Sequence, residues 1–465
     1  MVYINFVKVL KNAMLMKKLM FVLAISLAGT LNAQQKHPSF MEQGNIYEVN
    51  IRQYTKEGTF NAFAKHIPRL HQMGVKTLWF MPIQPISVEG RKGTLGSYYA
   101  VSDYTAVNPE FGTLSDFNAV VKQAHALGMK VIIDYVPNHS GADNKWLKSH
   151  PDFYERDEKG NAKYTADWSD TRELNYDNKV MQDSMIQTMK YWVKNTAIDG
   201  FRVDVAWGVP YDFWKRCIST LKKERDLFFL AEADDPKMHS SGYDATYSWT
   251  EFHVLNDIAA GKKDIRALDS VLTHIDTTYM KGAWRLYFTS NHDENSWNKA
   301  DYATMPGEIH APFSVFTLTY HRTMPLIYSG QEEPVLRALA FFEKDPIYFN
   351  KYQRASFYKS LLQLRSSNAA FNESASFTRL KVNQPNQVMA YQRVNGKDKV
   401  VVLLNLSNQP QQVELQNFTE DGKVYAELFS KEISKNIKKV ALPAWGYKVY
   451  VANPKMVHAT PIKSN

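Results

Sequence analysis

From residue 44 to about 370, short apolar runs alternate with longer stretches whose apolar positions recur every three or four residues, the signature of strand followed by helix. The apolar runs are "NIYEVNIRQY" (45–54), "TLWFMPI" (77–83), "KVIIDYVPNH" (130–139), "GFRVDVA" (200–206), "FFLAEA" (228–233), "ATYSW" (245–249), "RLYFTSNHDE" (285–294) and "PLIYSGQE" (325–332). Between them lie amphipathic stretches such as "FNAFAKHIPRLHQMG" and "LSDFNAVVKQAHALG", closed by Gly74 and Gly128. Apolar runs without a polar alternate belong to parallel strands covered on both faces. Eight such units predict an α/β fold, a closed (β/α)8 TIM barrel, with an open doubly wound sheet as the competing arrangement.

Two regions break the rhythm. Residues 138–178, rich in Asp, Lys, Asn, Trp and Tyr, are too long for a simple connection and read as an inserted domain B. Beyond 372 the texture becomes short alternating strands, among them "QVMAYQRV", "KVVVLLNLS" and "GYKVYVAN", separated by turn residues. The expected organisation is a barrel over 34–137 and 179–372, the insertion at 138–178, and an antiparallel β-sandwich domain over 373–465.

The first 33 residues read as a signal peptide: Met16-Lys17-Lys18, the apolar "LMFVLAISLAGTL", and a small-residue exit at Ala33. Residues 1–15 precede a better start at Met16. The chain is therefore expected to be exported, to the periplasm or beyond, without stable membrane insertion and as a monomer. Removing the four leader lysines reduces the net charge from +9 to +5. No dense basic run remains that would grip nucleic acid. The single Cys217 excludes an intramolecular disulfide.

Polar residues gather at the ends of the predicted strands, where a barrel of this kind places its reaction site. They are Asp134 with Asn138 and His139, Arg202 with Asp204, Glu232, and Asn291-His292-Asp293. In "GFRVDVAWG" (200–208) Arg202 and Asp204 share one strand face, so the cation keeps the aspartate ionised and oriented. Glu232 follows four apolar residues, where desolvation raises a carboxyl group towards a general acid. Three carboxylates, two histidines and an arginine, with no cysteine cluster or glycine-rich phosphate loop, suit glycoside hydrolysis.

The segments "DYVPNHS", "GFRVDVAWG", "FFLAEADD" and "FTSNHDEN", in this order, resemble the four signature regions of the α-amylase family, glycoside hydrolase family 13. "LGSYYAVSDYTAVNPEFGT" (95–113) resembles the family's second-loop segment. The resemblance implies that Asp204 is the nucleophile, Glu232 the acid/base and Asp293 the transition-state carboxylate of a retaining double displacement. It also implies that Arg202, His139 and His292 contact the sugar at the cleaved bond or hold the nucleophile, with Tyr99 stacking below that sugar. The implied substrate is an α-glucan or malto-oligosaccharide, cut at α-1,4 and also α-1,6 bonds.

The pattern departs from the family where Trp207 and Gly208 replace the usual Lys-His after the nucleophile strand. Asn138 matches a calcium ligand, but Gly208 and Glu173 depart from its partners, so no metal is required and calcium is not expected. Trp207 is a candidate sugar-stacking residue, with packing under domain B as the alternative. Val205 leans towards α-1,6-acting and neopullulanase-like members, while the short lead-in to the first strand leaves no room for their extra N-terminal domain. Two alternatives to hydrolysis remain: transglycosylation by the same machinery, and an inactive glycan-binding protein.

Overall fold

The computed structural model describes residues 37–164, 166–419 and 421–452; the leader at 1–33 and the last residues, 453–465, lie outside the described residues. Eight parallel strands form a closed barrel: β1 (Ile46–Val49), β2 (Thr77–Phe80), β3 (Lys130–Tyr135), β4 (Gly200–Val203), β5 (Phe228–Ala231), β6 (Ala245–Tyr247), β7 (Trp284–Tyr287) and β8 (Thr323–Tyr328). Each strand pairs with the next, and β8 pairs with β1. The closed barrel, not the open sheet, is the arrangement adopted. Its strands are buried along almost their whole length because side chains inside and helices outside cover both faces. Ile46, Trp79, Ile132, Leu230, Leu286 and Leu326 belong to the cluster that fills the interior.

Three local details differ from the sequence pattern. The first apolar run is strand only to Val49, and Ile51–Tyr54 is a helical turn. Tertiary bonds override its strand pattern: Arg52 is buried and donates to the carbonyls of Gly96 and Leu95 at 3.0 and 3.1 Å. The expected helix over 60–74 is two helices, Phe60–Ala64 and Ile67–Met73. Pro68 sits in the first turn of the second, the position where a missing N–H costs nothing. The fourth strand ends at Val203, so Asp204 stands just beyond it.

Between β3 and β4, His139–Gly141 pairs antiparallel with Thr171–Glu173. After the barrel comes an antiparallel sheet of six strands, beginning with Ser376–Leu380, Val388–Asn395 and Asp398–Asn405. A second pair, Gln411–Glu414 with Lys439–Leu442, shares a core with it through Val388, Val401, Leu403, Val413 and Leu442. Arg393 ties this domain to the barrel by donating to the carbonyls of Tyr320 and Ala370 at 2.8 and 2.7 Å. Among the described residues no helix is long and apolar enough to cross a membrane.

Gly200 opens β4 under a strict constraint. A Cβ there would lie 2.0 Å from the carbonyl oxygen of Phe228 on β5 and 2.9 Å from its carbonyl carbon and nitrogen, all backbone atoms that cannot step aside. The substitution Gly200→Ala is expected to cost about 3 kcal/mol by forcing the two strands apart. Thermal unfolding checks this, and an unchanged midpoint would show that the β4–β5 pairing is looser than its geometry.

Candidate active site

The site grows from one register. Arg202 on β4 pairs with Asp134 on β3, and both side chains are fully buried. Arg202 Nη1 donates to Asp134 Oδ1 and Oδ2 at 2.9 and 3.1 Å and to Asp204 Oδ1 at 2.9 Å. Nη2 lies 2.8 Å from Glu232 Oε1, an ionic contact not aligned as a hydrogen bond. Nε donates to the hydroxyl of Tyr247 at 3.2 Å. The guanidinium carbon sits 5.2 to 5.7 Å from the ring centres of Trp79, Tyr99 and Tyr247, so aromatic faces complete its surroundings.

Beyond β4 the chain turns sharply. Val205 adopts the left-handed region, with φ +44° and ψ +43°, which a β-branched residue enters only at a cost of order 1–3 kcal/mol. The turn aims the Val205 N–H at Glu232 Oε2, 2.8 Å away. Ala206–Gly208 then forms a single 3-10 turn, pinned by Trp214 Nε1 donating to the carbonyl of Ala206 at 3.0 Å. The strained residue thus connects the strand carrying Asp204 to the carboxyl group that follows β5.

Asp293 is held differently. His292 opens the helix His292–Asn298, whose N-cap Asn291 accepts from the Glu294 N–H. The Nε2 of His292 lies 3.1 Å from Asp293 Oδ2 and 2.7 Å from the Tyr99 hydroxyl, and its ring stacks on Tyr99 at 5.3 Å. Its Nδ1 lies 2.5 Å from Glu48 Oε1. His139 is buried near Trp168, its ring 5.5 Å from the indole, and receives the Asn138 amide at Nδ1.

These surroundings separate the proton affinities. Burial pushes Glu232 up to about 7 and Asp204 and Asp134 up to about 6, against the lowering effect of Arg202. Burial acts upward on Asp293 too, but the His292 imidazolium overrides it and holds that carboxyl below its ordinary value. The histidines part in opposite directions. Burial lowers His139 to about 4. His292 is raised well above its ordinary value because Asp293 and Glu48 outweigh its burial.

The groups face a cavity of about 800 Å³ whose walls include Tyr99, His139, Asp204, Glu232, His292 and Asp293. Trp207, also on the wall, is 62% exposed, so it does not pack under the inserted segment. Trp297, 54% exposed, stands on the same cavity against Phe341 and Phe342. The structure therefore brings the candidates together, with Arg202 behind the wall, holding Asp204 and Glu232, and Asn138 also off the cavity, beside His139. Sequence reasoning passed over Glu48, Tyr247 and Trp297. For Glu48 a signal existed: a lone carboxylate within the apolar "IYEV".

Asn138 sits between Gly208 and His139. A Cβ on Gly208 would lie 2.4 Å from Asn138 Oδ1, so the glycine backbone closes over the amide, while Nδ2 turns to His139. Glu173 pairs with Lys163 Nζ at 3.3 Å. Among the described residues no three His, Cys, Asp or Glu side chains converge as metal ligands.

Comparison with known proteins agrees with this geometry. The family model "Alpha amylase, catalytic domain" matches residues 39–170 and 152–344, and "Maltogenic Amylase, C-terminal domain" matches 377–449. The chain is 30% identical to a maltogenic alpha-amylase, AmyB, from Thermotoga neapolitana, with a TM-score of 0.79 over 89% of this chain and 97% of that one. It is 25% identical over 399 residues to alpha-amylase MalA of Haloarcula japonica, covering 81% of this chain but only 57% of that relative's length. A cyclomaltodextrin glucanotransferase of Bacillus licheniformis is 26% identical over 452 residues, 84% of this chain and 61% of that relative. With both family models matched in chain order, on a barrel whose mouth carries these carboxylates, the chain belongs to the alpha-amylase family.

Proposed function

We propose that the protein is a retaining glycoside hydrolase that cleaves α-glucosidic bonds in malto-oligosaccharides or related α-glucans. The observation that carries this reading is the buried Arg202, which contacts Asp204 and Glu232 together. Two carboxyl groups on one guanidinium favour the short separation, about 5 Å, of a double displacement over the wider gap of an inverting enzyme. Asp204, ionised and aligned by Arg202, attacks the anomeric carbon. Glu232, the group with the highest proton affinity of the three, gives its proton to the leaving oxygen. The bond to the leaving sugar breaks and a glucosyl ester forms on Asp204. Glu232, now a carboxylate, takes a proton from water, whose oxygen displaces Asp204 and restores the enzyme. Asp293 stays ionised beside the developing positive charge, and Tyr99 gives its face to the sugar.

Exposed Trp207 favours transglycosylation as a second activity of the same intermediate, because an indole face binds an incoming sugar and displaces water. A purely glycan-binding role is disfavoured by the intact triad of carboxylates around Arg202 and His292. The proposal includes export of the chain, which rests on the composition of the leader at 1–33.

Incubation with maltotriose tests the function. Glucose and maltose are expected, and Asp204→Asn should lower their formation at least about 1,000-fold while the folded protein still binds glucan. Products longer than maltotriose would add the transferase activity; equal rates in both proteins would remove Asp204 as nucleophile.

The pH profile follows from the proton affinities. Asp204 must be ionised, so activity falls as pH drops through about 6; Glu232 must be protonated, so activity falls as pH rises through about 7. A narrow bell in kcat/KM is expected, whose limbs belong to the coupled pair. A plateau extending past pH 9 would remove Glu232 as the acid.

We also propose that no calcium is required, since the donors around Asn138 do not converge. A chelator is expected to leave the thermal midpoint unchanged. A drop of several degrees, reversed by added calcium, would overturn this.

A further inference from the structure

Glu48 is the least expected group at the barrel mouth. It lies on β1, fully buried, with Tyr47 and Val49 on either side in a strand that otherwise carries no charge. Its register neighbours are Trp79 on β2 and Tyr328 on β8, neither of them ionic partners. Oε1 lies 2.5 Å from His292 Nδ1, whereas Oε2 has no hydrogen-bond partner. A buried carboxylate so poorly provided for is tolerated only if the contact it does make is ionic. Arg202, the nearest other cation, is committed to Asp134, Asp204 and Glu232.

The far side of the ring leads to the same conclusion. His292 Nε2 meets the Asp293 carboxylate at 3.1 Å and the Tyr99 hydroxyl at 2.7 Å. A neutral ring holding its single proton on Nδ1 would turn a lone pair on that carboxylate. A ring holding it on Nε2 would do the same to Glu48. Burial raises the proton affinity of Glu48 while the charges of His292 and Arg202 lower it; with Glu48 ionised, only an imidazolium donates at both nitrogens. The other charges around the ring are Arg202 and Asp134 from β4 and β3 and Glu294 on its own helix; Trp79 from β2 presents only an edge-to-face contact. His139, the other histidine on the cavity wall, has no such carboxylate pair at hydrogen-bond distance, and burial keeps it neutral.

We propose that Glu48 is a positioning residue for the reaction: by accepting the Nδ1 proton of His292 it holds that ring as an imidazolium, whose Nε2–H is presented to Asp293 and to the sugar hydroxyls. This rests on the reading of Asp293 and His292 as groups that face the substrate. The elevated proton affinity of His292 supports the geometry, because two carboxylates overcome the effect of burial. The consequence is a division of labour. Arg202 sets the nucleophile and acid, while Glu48, acting through His292, sets the third carboxylate.

The near-isosteric Glu48→Gln tests this. In the native protein the His292 ring, assigned in a histidine-labelled NMR spectrum by its loss in His292→Asn, is expected to titrate well above an ordinary histidine. In Glu48→Gln it should titrate at least about one pH unit lower, and kcat should fall about tenfold with little change in KM. Glu48→Asp, which keeps the charge on a shorter arm, should restore part of the shift. If His292 titrates alike in native and Glu48→Gln proteins, Glu48 only fills space and the inference fails. Should Glu48→Gln not fold, the native titration decides alone: loss of the His292 proton below pH 7 overturns the proposal. The titration needs no substrate, so an absence of maltotriose hydrolysis would count against the enzymatic reading and not against this one.

Discussion

One guanidinium, sealed from solvent at the mouth of the barrel, must balance more carboxyl groups than it can neutralise. Arg202 contacts Asp134, Asp204 and Glu232, and its position follows from the β3–β4 register, which sets Asp134 directly beside it. Because an ion pair of this kind gains little net stability once desolvation is counted, its value lies in placement. A single planar group fixes the direction of several acids. Sharing also ensures that none is fully satisfied, which leaves Asp204 and Glu232 with proton affinities high enough for acid–base exchange near neutrality.

The remaining carboxyl groups are relieved by a second cation. His292 bridges Glu48 and Asp293, so the site divides into two charge clusters joined through Tyr99, which hydrogen-bonds Asp134 on one side and His292 on the other. This arrangement has a stability consequence. The folded-state affinities of Asp204 and Glu232 lie above those of an unfolded chain, so between about pH 4 and 7 the folded protein holds more protons, and its stability falls as pH rises through that interval. The closed barrel and the contacts of Arg393, on the C-terminal sheet, with the barrel must offset that loss. Catalytic readiness and fold stability are therefore opposed at the same carboxyl groups.

The eight strands were legible because a parallel strand buried on both faces leaves an uninterrupted apolar run. The carboxylates were legible because a charge at the end of such a run is hard to explain otherwise. What escaped depended on partners distant in sequence. Glu48 and His292 are 244 positions apart, so neither the pairing nor the charge on the ring can be read locally. The two histidines looked alike as letters, yet burial lowers His139 despite the opposing charge of Glu173, while Asp293 and Glu48 together raise His292. The helical turn at Ile51–Tyr54 escaped for the same reason: the carbonyls that Arg52 needs come from the loop after β2.

The turn after the nucleophile unites these themes. Gly208 has no side chain, and the space a Cβ would take is filled by the Asn138 amide oxygen, whose nitrogen partner steadies His139. A side chain at 208 would displace Asn138 and, with it, that histidine. The glycine therefore leaves room for Asn138 to orient the His139 ring. Its neighbour Trp207 lies in the same short turn, anchored from behind by Trp214, and is left facing the cavity. Losing the usual ligand position and gaining an aromatic wall are thus two results of one backbone choice, made possible by the left-handed Val205 that also aims an N–H at Glu232. The placing of Trp207 on the cavity wall and the orientation of the acid are consequently set by the same four residues, Val205 to Gly208, and a change in one is transmitted to the other.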